Sequence, residues 1–123
     1  MKILIVEDEA VLSKVLKEKF ERSGFECIVA SDGEVAITMA RDGKPDVIVL
    51  DLVLPKKNGF LVLEEIKEDA GMKLIPIVVV SNLGEDGDIK KALALGAADY
   101  FVKSQHPINE IVEKVKSVLT EIK

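Results

Sequence analysis

The chain has 123 residues, of which 48% are hydrophobic and 32% charged, with a formal net charge of −5. That length suits one domain with its own core, and the acidic balance argues against direct binding to nucleic acid. A single cysteine excludes an internal disulfide and fits a reducing compartment. No apolar run approaches the roughly 20 residues of a membrane span, and Met1-Lys2 leads into a strand rather than a signal peptide. A cytoplasmic domain with no membrane partner is the expectation.

Ile3-Leu4-Ile5-Val6 is a continuous apolar run that ends on Glu7-Asp8. Short runs of this kind, bounded by polar turns, read as strands buried on both faces. Val11, Leu12, Val15, Leu16 and Phe20 then recur at helical spacing and predict one buried face, closed by Gly24 in the left-handed conformation. Cys27 to Ala30 reads as a second strand. Ser31-Asp32-Gly33 reads as a turn and helix cap, opening a helix with Val35, Ala36, Ile37 and Ala40 that stops at Gly43.

Val47 to Leu50 forms a third strand and ends abruptly on Asp51. After the turn from Pro55 to Gly59, Phe60, Leu63 and Ile66 mark a helix running to about Asp69. Ile77 to Val80 is a fourth apolar run, ending on Ser81. Ile89, Ala92 and Leu93 mark a weaker helix, with Gly84 and Gly87 at its start and Gly96 at its end. Tyr100-Phe101-Val102 is the fifth strand, ending on Lys103. Pro107 suits the first turn of a last helix whose apolar face is Ile108, Ile111, Val112, Val115, Val118, Leu119 and Ile122.

Five strands alternating with five helices predict an α/β fold: one doubly wound, five-stranded parallel sheet covered on both faces. Right-handed crossovers leave few strand orders. The order 2-1-3-4-5 sets the first and third strands side by side at the switch point, where open α/β sheets bind their ligands. The whole of 1–123 is expected to be one domain, without an effector domain.

The carboxyl ends of the strands carry Glu7-Asp8, Asp51, Ser81 and Lys103. Three carboxylates gathered within about 5 Å repel by roughly 3 kcal/mol per pair at an effective dielectric of about 20. A cation must compensate, and hard oxygen ligands select Mg²⁺ or a similar ion. Lys103 neutralises further charge and can hold an anion. A carboxylate, a divalent metal, a lysine and a hydroxyl together describe phosphoryl transfer, with Asp51 attacking in line.

Through these residues the chain resembles the response-regulator receiver domain of two-component signalling, of the chemotaxis CheY type, which has the flavodoxin-like fold. The resemblance spans the whole chain through dispersed matches: Glu7-Asp8, Asp51 with Pro55 and Gly59, Ser81, Gly96-Ala97, Tyr100 and Lys103. It implies that Asp51 accepts a phosphoryl group from a histidine kinase or phosphotransfer protein. It also implies that Asp8, Asp51 and the Val53 carbonyl ligate Mg²⁺, with Glu7 acting nearby through water. Ser81 and Lys103 would grip the phosphoryl oxygens, and Tyr100 would turn inward when Ser81 moves. Downstream proteins would dock on the surface made by the fourth helix, fifth strand and last helix, with a phosphorylation-dependent dimer as a further expectation. Such a chain is a signalling phosphoacceptor, not an enzyme in the usual sense.

Two departures stand out. Ser104 follows the lysine where the family usually has a proline with a cis bond, so a trans peptide is expected there. Asn82 stands where a small alanine is common. Val53 and Leu83, each two residues beyond a site residue, offer no hydrogen bond to a hydrolytic water and predict slow loss of the phosphoryl group.

Other functions fit less well. A haloacid-type phosphatase needs an acid two residues after its nucleophile, where this chain has Val53. A flavodoxin needs a phosphate-cradling loop after its first strand, and Glu7-Asp8-Glu9 would repel the phosphate. A receiver fold that ignores phosphorylation would lack one of the acids, the hydroxyl or the lysine, and none is missing. His106 reads as an exposed residue near a helix cap, and Cys27 as a small core hydrophobe.

Overall fold

The computed structural model describes residues 1–122, and their side chains as far as Thr120. The elements alternate without exception: β1 (Lys2–Val6), α1 (Ala10–Arg22), β2 (Glu26–Ala30), α2 (Gly33–Gly43), β3 (Val47–Leu50), α3 (Gly59–Glu68), β4 (Ile77–Ser81), α4 (Asp86–Ala94), β5 (Asp99–Val102) and α5 (Ile108–Ile122). All strand pairs are parallel, in the order β2-β1-β3-β4-β5. The expected α/β architecture and strand order are both found.

Alternation along each strand divides the core into two layers. Leu4, Val6, Ile48, Leu50, Ile77 and Val79 face α2 and α3, meeting Ala36, Ile37, Ala40, Val62, Leu63 and Ile66. Ile3, Ile5, Val47, Val49, Val78 and Val80 face the other way, onto Leu16 and Phe20 of α1 and Ile111, Val112, Val115 and Leu119 of α5. A strand buried on both sides has no polar face, which is why these runs are continuous.

Helix faces depart from the sequence pattern at particular residues. Val11 is 74% exposed, while Ser13 is buried with its hydroxyl donating to the Ala10 carbonyl at 3.0 Å. The buried stripe of α1 runs through Leu12, Leu16 and Phe20, and Val11 lies one helical step outside it. Val35 and Leu93 are likewise exposed. At the end of α2 the left-handed residue is Lys44 (φ 46°), not Gly43. Gly43 serves packing instead: a Cβ there would come 2.9 Å from Cδ1 of Ile28. Gly24 does take the expected positive φ of 95° after α1. Cys27 is half-buried at the edge of a core layer rather than inside it. Ile122, expected on the apolar face of α5, has its side chain outside the described residues.

Candidate functional site

Register places the functional side chains. Val6 pairs with Leu50, so Glu7 and Asp51 leave neighbouring strands at the same level. Ser81 pairs with Val102, and the next residue on β5 is Lys103. The first bonds beyond the strands keep this alignment: the Asp51 N–H donates to the Val6 carbonyl at 3.0 Å, and the Lys103 N–H to the Ser81 carbonyl at 2.9 Å.

Carboxylate oxygens of Glu7, Asp8 and Asp51 lie within 4.8 Å of one another. Glu7 and Asp51 are buried and Asp8 is exposed. The Lys103 ammonium donates to Oε1 of Glu7 at 2.5 Å and to Oδ2 of Asp51 at 2.8 Å. The remaining oxygens are also engaged, Oδ1 of Asp51 by the Val53 N–H and Oε2 of Glu7 by the Glu9 N–H, each at 3.1 Å. A cavity of about 250 Å³ opens over this group, lined by Glu7, Asp8, Glu9, Asp51, Val53, Asn82 and Lys103.

Burial, reinforced by the charge of Asp51, pushes the Glu7 carboxyl up to about 7 against the pull of the Lys103 hydrogen bond. Burial alone would lower the Lys103 ammonium, but its hydrogen bonds to Asp51 and Glu7 outweigh that and hold it above its ordinary value. One consequence is measurable in chelator-treated protein. A carboxyl raised in the folded state gives stability that is complete below its ordinary pKa and is lost as pH climbs through the folded value. For Glu7 the window runs from 4.5 to about 7. Unfolding free energy should fall across it by an amount on the order of 3 kcal/mol. Glu7→Gln should remove that component, as urea titrations at a series of pH values would record; parallel pH profiles for the two proteins would contradict it.

Ser81 and Tyr100 occupy a second tier. Ser81 is fully buried beneath the cavity rather than on its wall, and its Oγ accepts from the Leu83 N–H at 3.3 Å. The half-buried Tyr100 packs against the α2–α3 side of the core, and its hydroxyl donates to the Leu83 carbonyl. The Leu83 peptide thus links the two. Leu83 itself packs on the core, and Val53 is 54% exposed. Asn82 and Glu9 line the cavity although neither was expected in the site. A legible signal existed for each: Asn82 is polar directly after a buried strand, and Glu9 continues the acidic run. No peptide bond among the described residues is cis, so Lys103–Ser104 has the expected trans form. His106 is half-buried, not exposed; its Nδ1 lies 2.9 Å from Oε1 of Glu110, and its ring meets Phe101 edge-on.

The donor set fits a hard divalent cation. All three side chains offer carboxylate oxygens, and at full ionisation the single charge of Lys103 leaves the group strongly negative.

The family description of the response regulator receiver domain matches residues 3–116. The chain belongs to this family. Among curated relatives, the receiver is 41% identical over 118 residues to PhoP of Bacillus subtilis, the alkaline phosphatase synthesis transcriptional regulatory protein, covering 96% of this chain and 48% of PhoP. The receiver spans about half the length of the curated relatives it matches. Among solved structures, the receiver domain of Francisella response regulator 1452 has a TM-score of 0.92 at 27% identity, covering 99% of this chain and 98% of the other. The Mn(2+)-bound form of response regulator Rcp1 has a TM-score of 0.83 at 32% identity, covering 94% and 91%. No helix among the described residues is long and apolar enough to cross a membrane.

Proposed function

We propose that this receiver accepts a phosphoryl group on Asp51 from a histidine kinase or phosphotransfer protein, and that this changes a partner-binding surface. The observation that carries the proposal is Asp51 itself: a buried carboxylate on the wall of an acidic cavity, with a lysine on one oxygen and a backbone amide on the other. Glu7, Asp8, Asp51 and the Val53 carbonyl would hold a divalent ion, which when bound supplies charge neutralisation at the phosphoryl oxygens. The Val53 amide holds Oδ1 of Asp51, which leaves Oδ2, the oxygen beside the Lys103 ammonium, as the attacking atom. In transfer, that oxygen forms a bond to phosphorus as the phosphorus–nitrogen bond of phosphohistidine breaks, and the electron pair stays with the imidazole. The Lys103 ammonium then balances charge on the transferred oxygens.

Mass spectrometry after incubation with acetyl phosphate and Mg²⁺ tests this. One phosphoryl adduct is expected, dependent on Mg²⁺; an unmodified mass, or equal modification with chelator present, would defeat it.

For the surface change, the linked groups are Ser81, the Leu83 peptide and Tyr100. A phosphoryl oxygen that drew the Ser81 hydroxyl toward the cavity would free the Leu83 amide and disturb the Tyr100 hydrogen bond. α4 has the fewest buried residues of the helices, Ala92 alone, and weakly held elements are those free to move. Hydrogen exchange with and without a phosphoryl mimic should therefore differ most across residues 83 to 104. Changes confined to the loop after Asp51 would rule out this route.

A further inference from the structure

The loop from Leu52 to Asn58 follows the acceptor carboxylate and carries Val53. Within it, the Lys57 N–H donates to the Pro55 carbonyl at 2.7 Å, and at its end the Gly59 N–H donates to the Leu52 carbonyl at 2.8 Å. Among the described residues, apart from the Val53 N–H bond to the adjoining Asp51, the polar contacts of this loop with earlier parts of the chain come from the Asp32–Gly33 turn at the start of α2. The Gly33 N–H donates to the Pro55 carbonyl at 3.4 Å. Asp32 Oδ2 lies 3.8 Å from the Lys56 ammonium, while Oδ1 of the same buried carboxylate accepts from the Val35 N–H at 2.9 Å.

Gly33 approaches the loop more closely than any side chain would allow. A Cβ at this position would lie 2.0 Å from the Lys57 carbonyl oxygen and 2.7 Å from Lys57 Cβ. Opposite it, Lys56 has a φ of 66°, in the left-handed region that residues with a Cβ seldom occupy. A strained loop conformation persists when its surroundings over-determine it. Here those surroundings are rigid, because α2 is anchored in the core directly behind the turn through Ala36, Ile37 and Ala40.

We propose that the Asp32–Gly33 turn is a positioning element for the acidic site, fixing the loop that presents the Val53 amide to Asp51 and the Val53 carbonyl to a divalent ion. This rests on the metal-dependent phosphoacceptor function proposed above. The path is short: the Pro55 carbonyl accepts from both Gly33 and Lys57, and Val53 is two residues upstream. A side chain at Gly33 must push the Lys57 peptide outward, and the Val53 amide then loses its alignment with Oδ1 of Asp51. Asp32 and Gly33 touch no reacting atom; they act through the loop.

The test compares Gly33→Ala with two controls. Gly87→Ala adds a Cβ with no atom within 4 Å, and Leu119→Ala weakens the core layer on the opposite side of the sheet. The first readout needs no metal: exchange of the Val53 amide in chelator-treated protein, followed by NMR. The second is Mg²⁺ affinity by calorimetry. In Gly33→Ala the Val53 amide should exchange about tenfold faster and Mg²⁺ should bind about tenfold more weakly, with both controls near wild type. Wild-type values in Gly33→Ala, or an equal loss in Leu119→Ala, would overturn the proposal. If Gly33→Ala does not fold, Lys56→Glu sets like charges together at the same contact, and unchanged Val53 exchange in that variant would overturn it equally. A wild-type protein that binds no Mg²⁺ counts against the phosphoacceptor function, whereas normal wild-type binding with an unshifted Gly33→Ala counts against the positioning role alone.

Discussion

Asp51→Asn is expected to take up no phosphoryl group, from acetyl phosphate or from a kinase, while remaining folded. The substitution keeps the shape of the side chain and its acceptor oxygen for the Val53 N–H, so the local hydrogen bond at 3.1 Å can persist. What disappears is the nucleophile: an amide oxygen carries no charge and forms no stable bond to phosphorus. Folding should not suffer, because removing one of three crowded carboxylates relieves repulsion and Lys103 keeps Glu7 as a partner at 2.5 Å. The loss of charge should also lower the Glu7 carboxyl, since Asp51 is one of the causes that raise it. Intact-mass measurement and peptide mapping decide the outcome. Labelling of the variant at the wild-type level, or transfer of the label to Asp8, would show that Asp51 is not the acceptor.

Much of this site is legible before any coordinates. Buried parallel strands have apolar residues on both faces, so their ends are marked by an abrupt change to a charged or hydroxyl residue, as at Val6-Glu7, Leu50-Asp51 and Val102-Lys103. Alternation with helices then forces those ends to one edge of the sheet. Less legible are features decided by rotation and close approach. Val11 and Leu12 fit a helical stripe equally by spacing, and only the packing of α1 on the sheet exposes one and covers the other. Likewise Gly33 and Gly43 look alike as helix punctuation. Their reasons are tertiary: one meets the Lys57 peptide and the other the tip of Ile28. Nor does a strand ending on Ser81 reveal that its hydroxyl is tied under the cavity to the Leu83 amide.

Asp8→Ala is expected to weaken Mg²⁺ binding by about a hundredfold, at the upper end of what the loss of an outer-sphere partner brings. Asp8 is the exposed member of the carboxylate group, and among the described residues no ion pair engages it: those of Lys103 go to Glu7 and Asp51. Its carboxylate is thus the one left free for a cation. Because the side chain lies at the surface, chelator-treated Asp8→Ala should be at least as stable as wild type. The contrast appears when Mg²⁺ is added. At a concentration of about a hundred times its dissociation constant, a ligand bound only by the folded state stabilises it by about 2.7 kcal/mol. A variant that binds a hundredfold more weakly gains only about 0.4 kcal/mol at the same concentration. Urea unfolding with and without Mg²⁺ separates the two cases, and calorimetric titration gives the affinities directly. An equal gain in wild type and variant would remove Asp8 from the metal site, and leave Glu7 and Asp51, already bridged by Lys103, as the carboxylates that must hold the ion.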